Sequence, residues 1–294
     1  EDTIYEDVDV LEPDTTTYKP DELPEREEEL EEIHSLLKPV TMGGTPRDAL
    51  IYGPTGQGKT VGMKIKTDQL QEWSDQSDEV NLTVIHTRCK GCDNSYNVLA
   101  ELIKDLREVR NGPGEDKPTG YTRKTLVEMV YDELEEIGGA IVLILDEIDS
   151  IGTDDYVLYE LPRASLDDVK MGVIGITNDL QFRDNLDADV RSSLGRREVV
   201  FSPYQSHHLQ NILARRASNA LKQTEFVGAE ESIENLESDL LEGGVIQLCA
   251  ALAAQDTGDA RDAIELFSET CSVADSDIER SDQQTIAEKH VRSA

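Results

Sequence analysis

The 294-residue chain carries 62 Asp+Glu against 28 Lys+Arg, a formal net charge of −34 at pH 7, with 37% hydrophobic residues and 4 cysteines. That length suits one large domain or two ordinary ones with a sizeable core, and so few cysteines exclude a disulfide scaffold and make an intracellular setting the default. The longest apolar run, Ala140 to Leu145, is far too short to span a bilayer, and the bulk charge argues against nucleic acid, whose phosphates call for a basic surface.

The acidic residues are spread along the whole chain, and Lys is the scarcer cation. Such a chain repels itself at ordinary ionic strength, whereas in molar salt the screening length falls to about 3 Å and the repulsion largely vanishes. The composition therefore reads as that of a salt-accumulating halophile. No positively charged, apolar signal segment opens the sequence at Glu1.

In chain order, residues 1–20 are acidic and Thr-rich without a helical apolar period, and read as a flexible arm. From Pro24 the spacing of Leu30, Ile33, Leu36 and Leu37 predicts a helix, ended by Pro39 and the Thr41–Pro46 loop. Ala49–Tyr52 reads as a strand running into a Gly-rich loop, with a helix expected from about Lys59 to Trp73. Further strands are expected at Leu82–His86, Ala140–Leu145, Met171–Ile176 and Glu198–Phe201, with helical patterns between them. That alternation specifies an α/β fold with a five-stranded parallel sheet. After Pro203 strand signals stop, and helices are expected at about 205–222, 243–256 and 259–273, so a boundary falls near 202 with a small all-α domain behind it.

The loop Gly53-Pro54-Thr55-Gly56-Gln57-Gly58-Lys59-Thr60 matches G-x-x-x-x-G-K-[ST] in full, between a strand and a helix as the mechanism requires. Its glycines let backbone N–H groups turn toward phosphates, and the following helix, with Val61 in its first turn, adds a favourable dipole. Lys59 is expected to reach the β- and γ-phosphates and Thr60 to hold Mg²⁺. Asp146 and Glu147 directly end the apolar strand Ala140–Leu145. The carboxyl edge of such a sheet is where ligands bind, so Asp146 is expected in the Mg²⁺ shell and Glu147 beside the attacking water. The reading is a Mg·ATP site.

Lys59, Asp146-Glu147, the polar Asn178 after the fourth strand and Arg261 after a Gly-Asp pair together resemble an AAA+ P-loop ATPase with a helical lid. More narrowly, the chain resembles the archaeal replication-initiator family related to origin recognition complex subunit 1 and cell division control protein 6. The segments that carry this are Tyr18–Glu27, Ile51–Thr60, Leu143–Asp149, Leu158–Ala164, Gly175–Asp179, Ser192–Leu194, Phe201–Tyr204, Ile212–Ala217 and Gly258–Ile264, in that order.

The resemblance implies an AAA+ domain over 21–202, with an initiator-specific helical insertion at about 95–125, and a lid over 203–294. It implies that Asn178 senses the γ-phosphate, that Arg261 is the lid's sensor, and that Tyr204 and Arg216 belong to the nucleotide pocket, the Tyr near the adenine. Arg191 is the candidate arginine finger toward a neighbouring subunit. Where the family has Arg-Val this chain has Asp189-Val190, which leaves Arg196 and Arg197 as alternatives, and Gln57 stands where the family often has a small residue. The implied function is a slow, switch-like, Mg-dependent ATPase that binds double-stranded origin DNA under ATP/ADP control. Its implied partners are the replicative helicase and other initiator subunits, in a cytoplasmic, nucleoid-associated setting with no membrane. The family's C-terminal winged-helix domain is expected to be missing beyond Ala294.

Between Lys104 and Lys124 six basic residues, Lys104, Arg107, Arg110, Lys117, Arg123 and Lys124, stand against Asp105, Glu108, Glu115 and Asp116, a local 6 − 4 = +2. Solvated charges on a helical hairpin and a DNA contact fit that count equally. By resemblance the segment is the insertion that contacts the minor groove, where shape matters more than sequence. Cys89-Lys-Gly-Cys92, with His86 upstream, is half a zinc site with no second pair of ribbon spacing, and Cys249 and Cys271 read as buried. Two alternatives stay open: a nucleotide-binding regulatory paralogue without origin activity, and a protein-remodelling AAA+ ATPase. The latter usually carries an aromatic–apolar–Gly pore loop, which Tyr96-Asn97-Val98 does not provide.

Overall fold

The computed structural model describes residues 3–13, 23–77, 80–278 and 285–294. The chain divides into two units, one made of Glu27–Pro54 and Lys59–Phe201. In it α1 (Glu27–Leu37) precedes β1 (Ala49–Tyr52) and α2 (Lys59–Asp75). There follow β2 (Leu82–Arg88), the helical hairpin α3 (Ser95–Asn111) and α4 (Arg123–Ile137), and β3 (Gly139–Asp146). The short helix α5 (Tyr156–Glu160), β4 (Val169–Thr177), the short helices α6 (Phe182–Asn185) and α7 (Ala188–Ser193), and β5 (Glu198–Val200) complete it.

The five strands form one parallel sheet in the order β2-β3-β4-β1-β5. β3 is inner because its side chains leave no polar face: every residue from Ala140 to Asp146 is buried, as a strand covered on both sides of a parallel sheet must be. The register pairs Arg88 with Asp146, Asp146 with Ile176, and Tyr52 with both Thr177 and Val200. The ends of all five strands therefore meet at one carboxyl edge. On the hairpin, Val98, Leu99, Leu102, Ile103 and Leu106 of α3 and Leu126, Val127, Val130 and Leu134 of α4 are buried at helical spacing and join the sheet's core cluster. Its helices start at side-chain caps: Asn94 Oδ1 accepts the Asn97 N–H at 3.0 Å and Thr122 Oγ1 that of Thr125 at 3.2 Å.

The second unit takes in Ser202–Ala294, the described residues before Glu27, and Thr55–Gly58. It contains α8 (Ser206–Ala220), β6 (Thr224–Phe226), β7 (Leu236–Ser238), α9 (Val245–Asp256), α10 (Ala260–Ile278) and α11 (Glu288–Val291). Phe267, Leu213, Val245 and Cys271 are wholly buried in its core, among alanines of α8, α9 and α10.

Two expectations change here. The lid is helical, but β6 and β7 add an antiparallel hairpin whose three-residue strands are too short to show a period. The arm expected over 1–20 is corrected where it is described, at residues 3–13; residues 1, 2 and 14–20 lie outside the described residues. Ile4, Val10 and Leu11 are buried in the lid core. Tyr5 bridges Leu221, Ile4 N–H donates to Asp275 Oδ1 at 3.1 Å, and Glu6 N–H donates to Ala220 O at 2.8 Å. Burial of these three apolar side chains, together with the backbone hydrogen bonds, works against the entropy cost of ordering the segment.

Candidate nucleotide-binding site

At the carboxyl edge of the sheet, α2 begins at Lys59. The Lys59 side chain is buried and turns back on its own loop, Nζ donating to Gly53 O at 2.8 Å and Pro54 O at 2.6 Å. Thr60 Oγ1 donates to Asp146 Oδ2 at 2.9 Å. The β3 end is thereby tied to the helix after β1, although β4 lies between the two strands. Asp146 also receives the Glu147 N–H on Oδ1 at 3.0 Å, and His86 Nε2 lies 3.1 Å from Oδ2. Burial works against its charge, yet the hydrogen bonds from His86, Thr60 and the backbone outweigh it and hold the carboxyl below the usual range. An ionised carboxylate and a hydroxyl within 2.9 Å are the hard oxygen donors that Mg²⁺ takes, so these residues fit the ion.

Glu147 sits in the left-handed region at φ 56, ψ 40, a conformation that costs a non-glycine residue about 1–3 kcal/mol and that surrounding structure must impose. Its carboxylate meets Arg88 Nε at 3.2 Å and Lys90 Nζ at 3.9 Å. Asn178 follows β4 on the same edge, its N–H donating to Asp149 Oδ1 at 3.2 Å. Sequence reading missed Arg88 and Lys90, and set His86 beside the cysteine pair and not beside Asp146. The available signal was polar His86 and Arg88 alternating outward on β2, whose burial otherwise marks a strand packed on one side. Cys89 and Cys92, flanking Lys90, are buried thiols; burial pushes the Cys89 thiol far up, which makes it inert. Arg191 lies half-exposed on α7, while Asp189, two residues before it, presents its carbonyl to Arg163 Nη2 at 2.7 Å.

The remaining nucleotide candidates lie in the second unit, with Thr55–Gly58. Gly56 and Gly58 take φ +71 and +88, the left-handed turns that aim successive N–H groups inward. Tyr204 is buried, and the Arg26 guanidinium stands 3.8 Å over its ring. Arg26 also donates to Ser202 O at 2.5 Å and Gln57 Oε1 at 3.0 Å. Arg261 is exposed in the first turn of α10, its N–H held by Asp259 Oδ1 at 2.7 Å. Arg216, expected in the nucleotide pocket, donates to Val10 O at 2.5 Å and so helps to hold the N-terminal segment.

On the hairpin every candidate DNA cation meets a carboxylate. Lys104 pairs with Glu101 at 3.3 Å and Glu108 at 3.9 Å, and Lys117 with Glu101. Arg107 pairs with Glu133 at 2.8 Å, and Arg110 with Glu133 and Glu136. Arg123 pairs with Asp154 at 3.0 Å and Lys124 with Glu128 at 3.8 Å. Five of these acids, Glu101, Glu128, Glu133, Glu136 and Asp154, lie outside the 104–124 window, so the local +2 is offset by neighbours that the linear count does not see.

The family model described as "AAA domain" matches residues 44–186, and the one described as "Cdc6 AAA+ ATPase-type lid domain" matches 210–294. ORC1-type DNA replication protein 1 of Haloarcula marismortui is 42% identical over 99% of this chain and 67% of its own length. ORC1-type DNA replication protein 10 of Halobacterium salinarum is 40% identical over 95% of this chain and 63% of its own. The chain thus spans about two thirds of the length of these relatives. Among solved structures, that of the Aeropyrum pernix ORC1 protein in complex with DNA superposes with a TM-score of 0.78 at 31% identity, over 100% of this chain and 69% of the other.

Proposed function

The chain belongs to the family of ORC1-type DNA replication proteins, and from that premise we propose that it is a Mg-dependent, switch-like ATPase whose nucleotide state controls engagement of double-stranded origin DNA and recruitment of the replicative helicase. The observation that carries the ATPase reading is the Thr60–Asp146–Glu147 arrangement, at the point where strand ends and helix start meet. Bound Mg²⁺ would neutralise phosphate charge there, held by Thr60 and Asp146. Lys59 exchanges its two loop carbonyls for phosphate oxygens, a like-for-like replacement of acceptors that leaves its buried ammonium satisfied. Glu147 must leave Arg88 and Lys90 to take the proton of the attacking water. Asn178 and Arg261 are read as the sensors of the γ-phosphate, Tyr204 as an adenine neighbour and Arg191 as the finger toward a second subunit.

The test is a pair of variants. Glu147→Gln should retain ATP and lose turnover, and Lys59→Ala should lose ATP; hydrolysis undiminished in Glu147→Gln would remove that residue from the chemistry. For DNA, support comes from the Aeropyrum pernix relative in complex with DNA. A second reading, a nucleotide-binding regulator that does not act on origins, is favoured by the ion pairs that occupy all six hairpin cations. Neutralising Lys104, Arg107, Arg110, Lys117, Arg123 and Lys124 together separates the two. Duplex DNA binding in molar KCl that weakens on neutralisation supports the initiator, unchanged binding removes the hairpin cations from the DNA contact, and no measurable binding by the unaltered chain supports the regulator.

A further inference from the structure

We propose that Gln57 is a positioning residue that fixes the crown of the phosphate loop to the lid turns at Tyr204 and Gly258, and so sets how long nucleotide stays bound. The inference rests on the nucleotide reading above. Gln57 is fully buried, at 0% exposure, in the middle of a loop otherwise built of glycines and small residues. Its amide has no unused capacity. Oε1 accepts from Arg26 Nη2 at 3.0 Å and from the Tyr204 N–H at 3.2 Å, while Nε2 donates to Gly258 O at 2.9 Å and to Thr55 O at 3.2 Å. Two donors and two lone pairs are all that a glutamine amide offers.

A small residue at this position could make none of these side-chain bonds. The crown and these turns also touch directly: a Cβ added at Gly56 would lie 1.6 Å from Asp259 Oδ1. Asp259 in turn holds the N–H of Arg261, the lid's sensor candidate.

The consequence follows from pre-organisation. On both sides of Gln57 the loop takes left-handed φ values, at Gly56 and Gly58, which free glycines visit and leave easily. A crown whose N–H groups are already aimed spends less of its phosphate affinity on ordering. Anchoring it through three hydrogen bonds to Arg26, Tyr204 and Gly258 slows departure of a nucleotide more than it speeds arrival, since affinity differences of this kind reside mainly in dissociation. The same bonds reach Tyr204 and Gly258, so the crown cannot relax without these turns being released.

The experiment uses the full chain in molar KCl with Mg²⁺ and the fluorescent nucleotide mant-ADP, read by stopped flow. Gln57→Met keeps the volume and removes all four bonds; mant-ADP should dissociate about tenfold faster, about 1.4 kcal/mol, with association within about twofold. Gln57→Glu keeps the two accepting bonds and loses the two donating ones, and should fall between wild type and Gln57→Met. Val130→Ala, on the hairpin, should lower the unfolding midpoint without changing dissociation, which separates positioning from general loss of stability. Wild-type dissociation in Gln57→Met, whatever its unfolding midpoint, overturns the proposal. Failure of the wild-type chain to bind mant-ADP, or binding undiminished in Lys59→Ala, overturns the nucleotide reading and takes this inference with it. Tight wild-type binding with an unchanged Gln57→Met overturns the inference alone.

Discussion

Replacing Arg88 by Ala is expected to raise basal ATP turnover, because Arg88 holds Glu147 away from water. The pair is close, Nε to Oε2 3.2 Å, but exposed, with 70% of the Arg88 and 25% of the Glu147 side chain in solvent. Exposed pairs of this kind are worth about 0.2–1 kcal/mol, and 1 kcal/mol is a factor of about five in an equilibrium. Glu147 is therefore free for roughly a sixth of the time at the upper limit, and release can raise single-turnover hydrolysis by about sixfold at most. Lys90, at 3.9 Å and 66% exposed, adds less, so Arg88→Ala/Lys90→Ala should lie only slightly above Arg88→Ala. Screening gives a second handle. Going from about 0.1 to about 1 M salt shortens the Debye length from about 10 to about 3 Å, so the advantage of Arg88→Ala should shrink as KCl rises. Single-turnover hydrolysis of pre-bound ATP, measured across KCl concentrations, reads the chemical step apart from product release. Turnover unchanged or lowered in both variants, with ATP binding intact, would refute a restraining role and make Arg88 a supporter of the catalytic geometry.

Glu133→Gln removes the carboxylate shared by Arg107 and Arg110, and should strengthen duplex DNA binding severalfold in a fluorescence anisotropy titration; weaker binding would argue that the ordered pair, not the freed cations, is what DNA meets. Phe267→Ala empties a fully buried position of the lid core and should cost about 3–5 kcal/mol, seen as an earlier urea midpoint in molar KCl. Asp146 has a folded-state pKa held below its unfolded value, so its stabilisation is complete above the ordinary carboxylate range and is lost as pH falls through and below that range. Asp146→Asn should accordingly flatten the acid limb of the unfolding midpoint against pH, and an unaltered limb would count against the Thr60–Asp146–His86 network as its source.

The parts of the fold that were legible are those in which one short stretch carries its own instruction. Ala140–Leu145 has no polar face, so only an inner strand suits it, and the Gly53–Thr60 loop lies between a strand and a helix whatever surrounds it. Thr60 and Asp146 meet, at 2.9 Å, because strand order and a parallel register bring their ends to one edge. Contacts set by register between distant segments were not legible. Arg88 faces Glu147 because β2 is the neighbour of β3, a fact about pairing that no local pattern states. Arg26 covers Tyr204 across 178 positions of sequence. The N-terminal segment was misjudged for a related reason: Ile4, Val10 and Leu11 have no period of their own, and become core only against the lid.

Charge shows the same division between composition and arrangement. A net charge of −34 describes a surface suited to strong screening, and H. marismortui and H. salinarum supply relatives at 42% and 40% identity. Within that surface the six hairpin cations form no open basic patch, since each already has a carboxylate partner. DNA phosphates must therefore compete with those internal partners. Molar salt weakens both sides of that exchange, because exposed ion pairs and phosphate contacts alike are screened. What survives screening is shape: on the proposed DNA-binding reading, the capped hairpin would present its loop, with exposed Tyr121, to a groove. Binding by this chain should therefore depend on DNA deformability more than on counterion release, with the cations serving to orient the hairpin.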